Sequence, residues 1–297
     1  MRILISGGSG FFGWNLTKKA SGSHQVVFSY FSHAVKLKGA VPVELDLRKR
    51  DRVFEIIKSF QPEAVIHTAA LTDVDYCEEN RELARDINEN GTRNLAEAVE
   101  EVKGKLVFCS TDLVFDGNRG HYKETDQVNP LNFYAGTKVR AEEIVREVSS
   151  NYLIARVSII YGWGSPFSRS FTDKLLERLQ SGNEAVLFRD QIRSPIHTDN
   201  LSEALLEIAE GDVKGVLHLA GGERINRYDF GKRFAETFNL DTGLIMEGSL
   251  AKHDLTAKRP KDCSLDASKA EAALRTHFFD IDEGLNRMKD SGGHSLG

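Results

Sequence analysis

Tyr134-Ala135-Gly136-Thr137-Lys138 sets a phenol and an ammonium four residues apart. On a helix that spacing puts both side chains on one face. A nearby ammonium favours the phenolate and is expected to lower the tyrosine pKa from about 10 toward working pH. Such a phenol can hand its proton to a carbonyl oxygen while the lysine reaches ribose hydroxyls. The spacing alone is common, and Tyr228–Lys232 repeats it. That second pair has no glycine turn, strand end or hydroxyl in register ahead of it, and reads as a packed tyrosine and a surface lysine. The first pair has all three. Ser110-Thr111-Asp112 closes the apolar run Lys105–Ser110, and Thr111 is placed to hydrogen-bond the same carbonyl oxygen. The catalytic candidates are therefore Thr111, Tyr134 and Lys138.

Gly7-Gly8-Ser9-Gly10-Phe11-Phe12-Gly13 follows the first apolar run and opens a helix. Gly8, Gly10 and Gly13 satisfy GxGxxG, and Gly7, Gly10 and Gly13 satisfy GxxGxxG. Glycine is needed because a Cβ would block the turn and keep the backbone off a pyrophosphate, for which the helix N-terminus supplies N–H donors. Phe11 and Phe12 count among the candidate cofactor contacts, although with Trp14 their rings read as core. The acid expected about 20 residues on, to hold an NAD ribose, is missing from Phe28–His33. Its absence favours NADP(H), with NAD(H) as the alternative. Ser32 and His33 are the candidates there, with Lys36 and Lys38 near enough to pair with a 2′-phosphate.

The elements that must position these groups alternate strand and helix. Arg2–Ser6, Gln25–Tyr30, Val41–Asp46, Ala64–His67 and Lys105–Ser110 read as strands. The stretch from Phe11, Asp51–Phe60 and the long segment Arg81–Val102 read as helices. Continuously apolar strands are buried on both faces. This points to an α/β protein with a doubly wound parallel sheet, its reactive groups at the strand C-termini. After about residue 165 the rhythm changes: Ser168–Gln180, Leu201–Glu210, Tyr228–Phe238 and Ala267–Leu274 read as helices and Val216–Ala220 as a strand. The expected organisation is a dinucleotide-binding domain over 1–165, a smaller substrate-binding lobe over 166–297, and a return to the sheet near 190–220.

Composition narrows the class. The chain has 297 residues, is 40% hydrophobic and carries a net charge of −5, so no basic face for nucleic acid is implied. Cys77, Cys109 and Cys263 are far apart and read as reduced thiols, and the nine histidines lack metal-ligand spacing, so no metal is expected. No apolar run approaches the ~20 residues a membrane helix needs. A cytoplasmic location follows by default, and the small polar tail SGGHSLG reads as a loose end.

These motifs together resemble the extended short-chain dehydrogenase/reductase family, in particular the dTDP-4-dehydrorhamnose reductases. The matching segments are GGSGFFG, Ala69–Asn80, Ile87–Asn88, Phe108–Gly117, Glu124–Lys138 and Arg259–Asp266. The resemblance implies a Rossmann fold and Thr111, Tyr134 and Lys138 as the triad. It puts Asp46 and Leu47 on the adenine, with Ala69, Ala70 and Leu71 under the cofactor. Thr72, Val74 and Asp75, with Thr111, become substrate contacts, and Arg259 meets the diphosphate or sugar. The strand end Arg156-Val157-Ser158 would approach the nicotinamide amide.

Two departures bear on substrate. Such reductases tend to carry RTSWVYG where this chain has Arg156-Val157-Ser158-Ile159-Ile160-Tyr161-Gly162, which removes an aromatic wall, and Arg193–Asp199 resembles the wider epimerase group. The related dehydratases place a glutamate after the Thr-Asp pair, where Leu113 stands here, so dehydration is disfavoured. The expected activity is NADPH-dependent reduction of a 4-keto nucleotide-sugar. The alternatives are a sugar-nucleotide 4-epimerase or dehydrogenase on the same triad, and an NADP-binding regulatory subunit without catalysis. A homodimer is frequent among relatives, but no interface is readable.

Overall fold

The computed structural model describes residues 1–253 and 255–292; most of the polar tail, residues 293–297, lies outside them. Seven parallel strands form one sheet: β1 (Arg2–Ser6), β2 (Gln25–Tyr30), β3 (Ala40–Glu44), β4 (Ala64–His67), β5 (Lys105–Thr111), β6 (Tyr152–Val157) and β11 (Gly215–Leu219). Their order is β11-β6-β5-β4-β1-β2-β3. β1 pairs with β2 through Ile5 and Phe28 and with β4 through Ile5 and Ile66. The continuous apolar runs have a direct cause. Ile3 and Ile5 face one layer, with Leu16, Leu201 and Leu205, and Leu4 faces the other, with Ile57, Leu95 and Phe108. Each such buried side chain contributes roughly 1.5–3 kcal/mol.

The layers are α1 (Phe11–Ala20) with α8 (Thr198–Glu210), and α2 (Arg50–Phe60) with α5 (Gly91–Glu101) and α6 (Phe133–Val148). The short helices α3 (Val74–Glu79) and α4 (Arg81–Arg85) follow β4. The long helix expected over 81–102 differs from that reading: α4 and α5 are joined by a π turn, Asp86–Asn90. The extra residue in that turn rotates Asn88 inward, where it is buried and finds polar partners.

The remaining elements build a second core. They are β7 (Ile160–Tyr161), α7 (Phe171–Gln180), β8 (Ala185–Phe188), β9 (Ile192–Arg193), β10 (Ile196–His197), β12 (Ile225–Asn226), α9 (Arg227–Thr237), β13 (Ile245–Gly248), α10 (Ser268–Ala273) and α11 (Ile281–Asp290). Tyr161, Leu175, Phe230, Phe234, Ile281 and Leu285 pack together there, over the β8–β13 pair. Helix α11 has no counterpart in the sequence reading; its apolar positions, Ile281, Leu285 and Met288, hide among charges. The segment around α10, read as lobe, instead packs Ala270, Leu274 and Phe278 into the cluster that holds Ile3. Among the described residues no helix is long and apolar enough to cross a membrane.

Candidate active site

The C-terminal ends of β1, β4, β5 and β6 open into a cavity of about 1020 Å³. At one end is the glycine turn. Gly7 has φ +75°, a conformation glycine adopts without strain. A Cβ on Gly13 would lie 2.1 Å from the Gly7 carbonyl oxygen, and one on Gly8 would strike Phe28. Gly10 caps α1 with no side chain, so the first-turn N–H groups are left for an anion. Gly7, Gly10, Phe11, Phe12 and Gly13 line the cavity, as do Asp46, Leu47, Ala69, Ala70 and Leu71. A cradle that only glycine fits, leading into a cavity of this size, suits a dinucleotide.

Thr111 ends β5, and Tyr134 and Lys138 sit on one face of α6; all three are buried and line the cavity. Asn132 holds the start of α6 by accepting the Ala135 N–H at 2.9 Å. The Lys138 ammonium lies 4.0 Å from the Phe108 ring centroid. Burial holds that lysine down to about 8. The tyrosine departs from expectation: burial, aided by the Asp112 charge, pushes its phenol up, and the neighbouring Thr111 hydroxyl opposes this only in part. Desolvation outweighs the ammonium effect expected from spacing, so Tyr134 is kept as a neutral acid.

Supporting groups are buried in turn. Asn88 accepts the Leu71 N–H at 2.8 Å and donates to the Leu71 carbonyl and to Thr137 Oγ1, each at 3.0 Å. That bonding ties the cofactor-side loop to α6. Asp112 accepts from Thr111 Oγ1 at 3.2 Å and Ser158 Oγ at 3.3 Å and pairs with Arg193 at 3.4 Å. Burial pushes its carboxyl up, with Arg193 pulling the other way. Ser110 donates to Glu142, which Arg156 grips with two bonds at 3.0 and 2.8 Å. Burial works against the Glu142 charge, yet the Arg156 bonds leave its carboxyl below the usual range.

The family model described as the RmlD substrate binding domain matches residues 1–292. A dTDP-4-dehydrorhamnose reductase of Aggregatibacter actinomycetemcomitans is 30% identical, over 97% of this chain and 98% of its own. A probable low-salt glycan biosynthesis reductase, Agl14, of Haloferax volcanii is 31% identical over 92% of each. The crystal structure of dTDP-4-dehydrorhamnose reductase from Bacillus anthracis in complex with NADP superposes with a TM-score of 0.86 at 26% identity, covering 98% of this chain and 99% of that one. The chain belongs to the RmlD substrate-binding-domain family.

Thr72, Val74 and Arg259 also line this RmlD-family cavity. Four expected contacts, Asp75, Ser32, His33 and Arg156, are not in the lining. Asp75 instead accepts the Ala257 N–H and the Arg259 guanidinium, both at 2.8 Å, and so holds Arg259 from behind. Ser32 bonds His33, whose ring stacks on Phe167 at 5.1 Å. Arg156 also turns away, onto Glu142, while Val157, Ser158 and Ile159 face the cavity.

The sequence reading missed Arg48, Gln191 and Arg193, which all line it. Arg48 lies two residues past Asp46, bonds its carboxylate and sits 5.7 Å from the Phe31 ring. A cation directly after the Asp46-Leu47 pair was the available signal. Tyr228 and Lys232 lie elsewhere on α9, with Lys232 bonded to the Thr242 carbonyl. Among the described residues no group of three or more His, Cys, Asp or Glu could hold a metal ion.

Proposed function

We propose that this protein is an NADPH-dependent reductase of a 4-keto nucleotide-linked deoxysugar, of the dTDP-4-dehydrorhamnose reductase kind. The observation that carries it is a buried, neutral Tyr134 beside Thr111, in one cavity running from the glycine turn to Arg259. Gly7, Gly10, Phe11, Phe12 and Gly13 would hold the pyrophosphate, and Asp46 and Leu47 the adenine. Ala69 and Ala70 would lie under the cofactor, and Lys138 would bond the nicotinamide ribose. When bound, NADPH supplies the hydride. Arg48 supports NADP over NAD as a cation at the adenine end, and Ser32 and His33 complete the proposed rim.

Tyr134 donates its proton to the carbonyl oxygen as that carbon is reduced, and Thr111 hydrogen-bonds the same oxygen. Arg259 would take the diphosphate through its guanidinium fork, steadied by Asp75, with Thr72 and Val74 beside the sugar. Ile159 leaves that pocket without one aromatic wall. Substrate recognition falls to the smaller lobe, residues 166–297 less the segments 198–219 and 268–278 that pack on the sheet. A cytoplasmic location and a homodimer belong to the same proposal.

The test is NADPH oxidation with dTDP-4-dehydro-6-deoxy-L-mannose. Stoichiometric oxidation is expected, and Tyr134→Phe should lower kcat roughly a hundredfold or more while still binding NADPH. Interconversion of sugars without net NADPH consumption would favour the epimerase reading. NADPH binding without any turnover of sugar nucleotides would favour the regulatory one.

A further inference from the structure

Arg193 is almost fully buried yet lines the cavity. Most of its donors are engaged. Nη1 donates to the Ile192 carbonyl at 2.6 Å and the Lys261 carbonyl at 3.1 Å, Nη2 donates to the Pro260 carbonyl at 3.1 Å, and Nε faces Asp112 at 3.4 Å. A guanidinium so engaged has little left for a ligand. It joins two parts of the site. Asp112 accepts a hydrogen bond from the Thr111 hydroxyl at 3.2 Å. Pro260 and Lys261 directly follow Arg259 in the strap Ala257–Asp262. That strap has other anchors: Asp75 on Ala257, Asn132 on the Lys258 carbonyl at 3.0 Å, and the Gly117 carbonyl on the Asp262 N–H at 3.1 Å. Asn132 is also the cap of the helix that carries Tyr134 and Lys138.

We propose that Arg193 is a positioning residue that locks the Arg259 strap onto Asp112, and so fixes the spacing between the diphosphate-binding guanidinium and the Thr111 hydroxyl. The proposal rests on the reading of Arg259 given above. Its two contacts act on different steps. The fork across two carbonyls holds Arg259 and governs substrate binding. The charge beside Asp112 sets how strongly that carboxylate competes for the Thr111 hydroxyl hydrogen bond, which matters in the transition state. A lysine keeps the charge but lacks the planar fork.

Arg193→Lys is therefore expected to raise KM for the dTDP-sugar about tenfold, to change kcat less than about threefold and to leave KM for NADPH in place. Arg193→Gln should add a fall in kcat of about tenfold or more. In an Arg259→Ala background, Arg193→Lys should raise KM no further, because the effect travels through Arg259. A rise of the same size in that background, or a parallel rise in KM for NADPH, overturns the proposal. Amide exchange of the free protein gives a readout that needs no substrate: residues 261–263 should exchange faster in Arg193→Lys while β1 is unchanged. Unchanged exchange at 261–263 also overturns it. Faster exchange, in a protein whose wild type oxidises no NADPH with the sugar, leaves the clamp standing and removes the reductase reading.

Discussion

Lys138 sits against Phe108 with its ammonium shielded from water, and burial lowers it from 10.5 to about 8. Below about 8 the lysine is charged in both folded and unfolded chains, and its desolvation cost is felt in full. Between about 8 and 10.5 the unfolded lysine keeps its proton while the folded one loses it, so the contribution of this group to stability rises with pH across that window. Activity runs the other way. The ammonium proposed to bond the ribose is lost above about 8 in the free enzyme, so kcat/KM is expected to fall there. A pH–rate profile checks this, and the descending limb should vanish in Lys138→Met along with most of the rate. A profile flat to pH 10 would mean that the lysine is not the titrating group. Spacing put Tyr134 and Lys138 on one face correctly, but it could not weigh burial against charge. That is why the expected shift of Tyr134 had the wrong sign.

Two local features at the element scale carry the site. The first is the glycine turn, readable because its chemistry demands residues without a Cβ at fixed spacing. Gly13→Ala would force its methyl into the Gly7 carbonyl. Overpacking of that kind costs about 1–3 kcal/mol, and the turn must open to accept it. Urea denaturation should show a loss of that order, with NADPH binding weakened in parallel. Unchanged binding would mean that the turn does not shape the cofactor site. The second feature is the π turn at Asp86–Asn90, which was not readable. Leu83, Ile87, Leu95, Ala98 and Val99 fit one helical stripe whether or not a single extra residue is inserted. What selects the π turn is Asn88 satisfying both backbone groups of Leu71, a contact 17 residues away in sequence.

The whole molecule is knit by late segments. Strand β11 completes the sheet beside β6, and Ala270, Leu274 and Phe278 share a core with Ile3 and Ile5. A chain truncated after Ala267 should therefore lose the NADPH site even though every cofactor-side residue remains. Dye-binding and NADPH fluorescence on the truncated chain test this; retained tight binding would show that residues 1–267 fold without the segment that follows them. The truncation removes buried apolar side chains from one layer of a two-layer sheet, so the loss is not confined to the lobe.

The sequence by itself determined the α/β class, the places of the first five strands along the chain, the glycine turn and the grouping of Thr111, Tyr134 and Lys138. Each depends on local chemistry: buried strands are apolar throughout, a phosphate turn excludes Cβ atoms, and a helix fixes which residues share a face. Tertiary structure alone decided the protonation of Tyr134, the turning of Arg156 onto Glu142, the withdrawal of Asp75 behind Arg259 and the burial of Arg193. These depend on groups tens to hundreds of residues apart meeting in a low-dielectric interior. There, desolvation and the nearest hydrogen-bond partner outweigh any preference a short stretch of sequence can express.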